Sequence, residues 1–145
     1  MQKKVVFFLL FLFAHFSCAQ PPIEGLYRGL ITQNSGGLSD QYYMELNITI
    51  QEDGSILGAS FFKLFEDRDV YVKYELVGKL QQEQMMLQET KIFEEQIYEG
   101  AYFCYKQMRL TIIYQADQYY LQGDWTSDNC PNAKGIIKLK KEQIL

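Results

Sequence analysis

The chain has 145 residues, a formal charge of −4 and a single histidine, His15, which lies close to its start. That length suits one compact domain, and the acidic balance without a Lys/Arg cluster argues against nucleic acid and anionic membrane surfaces as partners. Nothing divides the chain into repeats, low-complexity tracts or linker-joined halves.

Residues 1–19 read as a secretory signal. Lys3 and Lys4 precede an apolar run from Val5 to Phe13, and the small residues Ser17 and Ala19 prepare a cut before Gln20. The run is shorter than the roughly 20 apolar residues a membrane-spanning helix needs. Cys18 offers an alternative, cleavage before a lipidated cysteine, although His15 and Phe16 fit that signal poorly. The ending Cys18-Ala19-Gln20 resembles the signal tails of secreted proteins from Bacteroidetes-type bacteria. Cleavage leaves residues 20–145 as one domain with twelve basic and eighteen acidic residues, a net −6. It also removes His15. A His-based triad, a His general base and a His-ligated zinc are therefore not expected in the mature chain.

From there the apolar residues alternate with period 2, the spacing of half-buried strands. Ile23 to Thr32 opens the series. In Gln41 to Gln51, Met44, Leu46, Ile48 and Ile50 share one face, and Asp53-Gly54 is a hairpin signal. Ile56 to Phe62 returns, followed by Val70 to Leu80 and, after a polar turn at Gln81 to Gln84, by Met85 to Phe93. The stretch Lys91 to Gly100 could hold a helical turn. Ala101 to Gln115 places Met108, Leu110, Ile112 and Tyr114 on one face, Ala116-Asp117-Gln118 turns into Tyr119 to Thr126, and Gly135 to Lys141 closes the series. Eight strands joined by short turns predict an all-β, single eight-stranded antiparallel meander barrel, since closure removes exposed sheet edges. A β-sandwich is the alternative.

Cys104 and Cys130 are the cysteines left in the mature chain, and an even pair in an oxidising compartment reads as one disulfide. The meander brings both to the same end of the barrel, independently of that rule. Two unrelated buried thiols are the other reading. Gly58, Gly78 and Gly123 each follow an aliphatic residue and one spacer, which marks points where a sheet coils tightly.

The strands Leu121-Gln122-Gly123-Asp124-Trp125 and Ile56-Leu57-Gly58-Ala59-Ser60-Phe61 resemble the strand pattern of calycin-type barrels, the avidins and lipocalins. Gly25-Leu26-Tyr27 is similar to the lipocalin G-x-W opening with Tyr for Trp. The resemblance implies the barrel shape and carries no binding residue with it.

All eleven tyrosines belong to the mature chain. Packing of a barrel core accounts for most of them; Trp125, with Tyr119, Tyr74 and Tyr27, is expected to line an interior pocket if one exists. Glu66, Asp67 and Asp69 form one acidic loop, with Asp124, Asp128 and Asn129 near another. Neither has calcium-loop spacing, and solvated turns are expected. Ser35 sits in a Gly-rich loop with no nucleophile-elbow context. No catalytic residue, metal ligand or cofactor site is predicted. The expected function is a non-enzymatic, secreted or periplasmic binding domain that holds a small apolar or aromatic ligand in the barrel mouth, beside Trp125. Its rival is a protein-interaction domain, such as a hydrolase inhibitor or a surface-assembly component, with an exposed aromatic or acidic loop patch. A carboxylate-only enzyme is the third and weakest possibility.

Overall fold

The computed structural model describes residues 22–143. The expected leader at 1–19, with Cys18 and the expected cleavage site, lies outside them. The described chain is all strand, turn and loop. β1 spans Gly25–Thr32, β2 Gln41–Ile50, β3 Ser55–Leu64, β4 Tyr71–Gln81, β5 Gln84–Gln96, β6 Lys106–Gln115, β7 Gln118–Ser127 and β8 Lys134–Lys141. Each strand pairs antiparallel with the next, and β1 pairs with β8 to close an eight-stranded meander barrel. The sandwich alternative is thereby excluded, and the architecture is compatible with a calycin-like fold.

The alternation read from the sequence becomes the inside and outside of this barrel. Side chains from all eight strands fill its core, among them Ile31, Leu46, Ile56, Leu76, Met85, Leu110, Leu121 and Leu139. Each such side chain contributes about 1.5–3 kcal/mol by leaving water. The glycines at 58, 78 and 123 stand where neighbouring backbone comes very close. A Cβ at Gly123 would lie 1.8 Å from the Arg109 carbonyl oxygen, and one at Gly78 would lie 2.2 Å from that of Met86. No side chain fits there, so these are the tight corners that let a short barrel close.

Tight hairpins join β2 to β3, β4 to β5 and β6 to β7 at one end. At the last of these, Ala116 and Asp117 both take positive φ (52° and 59°), as the twist of a two-residue hairpin requires. The connections 33–40, 65–70, 97–105 and 128–133 lie at the other end. Two differences from the sequence reading appear there. No helical turn forms at 91–100, because β5 continues to Gln96 on its partner β4, with register shifts between Lys73 and Tyr74 and between Glu75 and Leu76. And β6 starts at Lys106, not Ala101, because residues 101–105 are drawn into a loop that ends at the disulfide.

Candidate functional site

The long connections share one end of the barrel, and binding residues concentrate on such loops over a rigid scaffold. Several contacts brace them. Cys104 and Cys130 form a disulfide, with Cα atoms 5.6 Å apart, tying the β5–β6 loop to the β7–β8 loop. Asn129 Oδ1 accepts from Tyr105 N at 2.8 Å and from the Ser127 hydroxyl at 2.9 Å. Asn34 Nδ2 donates to Asn132 O at 3.2 Å, while its Oδ1 accepts from Lys134 N at 3.0 Å.

Between the braced loops and the barrel interior lies a cavity of about 550 Å³. Its inner part is Ile31, Phe62, Lys106 and Trp125; its walls come from residues 35–38, 100–104 and 130–133 together with Tyr42. Trp125 is held by its indole Nε1, which donates to Thr32 O at 2.8 Å. Gly135 makes this possible, since a Cβ there would lie 2.7 Å from the indole nitrogen.

Beneath the cavity sits a polar cluster embedded in the apolar core. Lys106 Nζ lies 3.4 Å from Glu89 Oε2 and donates to Cys104 O at 3.1 Å; the two side chains are 9% and 0% exposed. Glu89 Oε1 accepts from the Ser60 hydroxyl at 2.7 Å, and its Oε2 accepts from Lys106 N at 2.8 Å. This last bond has a structural reason. The β5–β6 ladder ends at Gln88 and Gln107, and the next backbone N–H, that of Lys106, is satisfied by the Glu89 carboxylate instead of a strand carbonyl. The ammonium also lies over the Phe62 ring at 3.9 Å, with Tyr74 at 4.7 Å and Trp125 at 5.7 Å, distances at which a ring face attracts a cation.

Burial pushes the Glu89 carboxyl up and the Lys106 amine down from their ordinary ranges, and in each case the partner's charge opposes the shift. A carboxylate accepts from every donor that faces Glu89, and an ammonium donates to both oxygens that face Lys106 Nζ, so the hydrogen bonds fit the charged pair.

The four aromatics expected around a pocket divide between the two ends. Trp125 lines the cavity. Tyr74 lies deeper; its hydroxyl donates to Cys104 O at 2.7 Å, and its ring meets Phe62 and Tyr105 edge-on at 5.9 and 5.4 Å. Tyr27 and Tyr119 belong to the hairpin end. There Tyr27 donates to Ile23 O at 2.5 Å, and Tyr119 packs on Tyr114 at 4.6 Å between ring centres. Lys106, Glu89 and Ser60 were absent from the sequence-based site. Their signal is nonetheless present: Lys106 continues the inward face of Met108 and Leu110, and Glu89 that of Met85 and Leu87.

The acidic loops hold themselves together. Asp67 accepts from Asp69 N at 3.1 Å and from the Tyr98 hydroxyl, and Asp128 accepts from Gln107 Nε2 at 2.7 Å. Among the described residues no three His, Cys, Asp or Glu side chains are grouped to hold a metal ion. A larger hollow of about 1160 Å³ runs over the outer face, past Val77, Met86, Arg109, Asp124 and Ile136. It is an open furrow between outward-facing strand residues, and the buried Lys106 lines the smaller cavity instead. No protein-family model matches the chain, and no curated protein matches it.

Proposed function

We propose that this protein is an extracytoplasmic, non-enzymatic binding module that holds a small, largely apolar or aromatic ligand in the cavity at the loop end of the barrel, as a member of the calycin-type group its strands resemble. The observation that carries this reading is the cavity beside Trp125, walled by loops that a disulfide braces. Its volume falls within the range of small-molecule sites, and apart from Lys106 its inner surface is aromatic and aliphatic. The disulfide supports the oxidising compartment, and among the described residues no helix is long and apolar enough to cross a membrane.

Native mass spectrometry of the oxidised protein exported from a bacterial host tests the proposal, followed by titration of Trp125 fluorescence with a panel of naphthyl and alkyl compounds. A bound mass lost on denaturation, or saturable quenching, is expected. An apo mass together with flat fluorescence across the panel would refute it.

One observation favours a second reading, docking of another protein. Leu38, Phe65, Phe93, Tyr98 and Tyr102 are exposed around the same end, beside Glu66, Glu94 and Glu99. Under that reading Phe65→Ser and Phe93→Ser, both outside the cavity lining, would abolish partner capture from secretions while leaving small-molecule binding intact.

A further inference from the structure

Resting on the reading that the loop-end cavity takes a ligand, we propose that this ligand is a neutral molecule with a flat apolar body and a carbonyl-type oxygen that accepts a hydrogen bond from Lys106 Nζ. The backbone N–H of Lys106 accounts for Glu89, but stability does not account for the ammonium opposite it, because a buried ion pair is commonly matched or surpassed by apolar residues of the same volume. The pair is instead placed where a ligand would meet it. Lys106 and Phe62 both line the cavity.

An ammonium has three N–H donors. Two of these have oxygen acceptors, on Glu89 and Cys104. Among the described residues the third meets no oxygen, only ring faces, those of Phe62 at 3.9 Å, Tyr74 at 4.7 Å and Trp125 at 5.7 Å. An acceptor entering the cavity would give that donor the partner it lacks.

Charge selects the kind of acceptor. Glu89 already neutralises Lys106, and no other buried Lys or Arg occurs among the described residues. A carboxylate ligand would leave the cluster with a net negative charge in a low-dielectric interior. A cationic ligand would face the ammonium. A hydrocarbon would cover the N–H and offer it nothing. A neutral carbonyl satisfies the donor without adding charge, while Trp125, Phe62 and Ile31 provide apolar surface for the remainder of the molecule.

The experiment compares three probes with one naphthalene body: 2-acetonaphthone, 2-naphthoate and 2-ethylnaphthalene. Each is titrated into the oxidised protein, with Trp125 fluorescence and calorimetry as readouts. The ketone is expected to bind about tenfold or more tightly than the hydrocarbon, the scale of one hydrogen bond to a charged donor, and the carboxylate no more tightly than the hydrocarbon. Lys106→Met alone would strand a buried carboxylate, so the control is the double variant E89Q/K106M. The amide at position 89 keeps one oxygen for the backbone N–H of residue 106, and its NH2 donates to the Ser60 hydroxyl. In this variant the ketone's advantage over the hydrocarbon should disappear. Equal binding of ketone and hydrocarbon, or tightest binding of the carboxylate, would overturn the inference and leave the binding-module reading standing. Binding of none of the three would overturn both.

Discussion

Lys106→Met is the substitution whose consequence follows most directly from the geometry. The 3.4 Å separation from Glu89 Oε2 corresponds to about 5 kcal/mol of attraction at an effective dielectric constant of about 20. Methionine fills the aliphatic space but removes that attraction and the contact with the Phe62 ring, while the carboxylate stays buried with two of its three donors. Breaking a buried pair in this way costs about 3–5 kcal/mol, a large share of the 5–15 kcal/mol that holds a typical domain together. Because burial raises the Glu89 carboxyl, the loss has a predictable pH dependence. An acid whose folded pKa lies above its unfolded value destabilises the fold when both states are ionised. That penalty fades as pH falls through the raised folded pKa, so K106M should regain stability relative to wild type as pH is lowered from neutral toward the ordinary glutamate value of about 4.3. The double variant E89Q/K106M should be more stable than K106M at pH 7, by about 2 kcal/mol or more, because no charge is left behind. Urea unfolding followed by Trp125 fluorescence measures all three proteins, with unchanged m-values confirming comparable end states. A K106M protein within about 1 kcal/mol of wild type at pH 7, or one that gains nothing on acidification, would refute the reasoning.

Replacing both Cys104 and Cys130 by Ser reopens a loop with a sequence separation of 26; the expected cost is about 3.5 kcal/mol in the chain-entropy account, read as a lower urea midpoint. Gly123→Ala forces a Cβ to within 1.8 Å of the Arg109 oxygen and should cost about 3 kcal/mol. Gly36→Ala, with open space but φ +74°, should cost only about 1–2 kcal/mol, and thermal melts that reverse this order would contradict the corner assignment. Burial raises the phenols of Tyr27 and Tyr74 far above their ordinary value and that of Tyr43 to about 12. A raised folded pKa stabilises below the unfolded value near 10 and loses that contribution as pH climbs. Tyr27 and Tyr74 should therefore together remove about 3 kcal/mol between pH 9 and pH 11. Absorbance at 295 nm would show these two phenols ionising only as the fold is lost; their titration near pH 10 in the folded protein would disprove their burial.

Much of the barrel is legible in the chain because alternation and turn chemistry are local properties of the backbone. Met44, Leu46 and Ile48 face inward since a strand turns successive side chains to opposite sides. Asp53-Gly54 turns the chain because Gly54 takes φ +83° without a Cβ. Cys104 and Cys130 meet because strand direction reverses at every hairpin. Even the inward phase of Lys106 and Glu89 is written in their strands. The extension of β5 is less legible. Residues 91–96 have no inward apolar alternation of their own, and only pairing with β4 through two register shifts keeps them extended.

The amino-acid sequence by itself thus determined the strands, their inner faces, the closing corners and the cysteine pairing, all of which depend on neighbours along the chain or on the order of the turns. Tertiary structure alone decided how far along the barrel axis each inward residue sits. That depth depends on inter-strand register and on where a ladder stops, summed around eight strands. It puts Tyr27 and Tyr119 at the hairpin end and Trp125 at the mouth. It also brings Lys106 to Glu89, seventeen residues away, because the β5–β6 pairing ends one residue short of both and leaves a backbone N–H that the carboxylate satisfies.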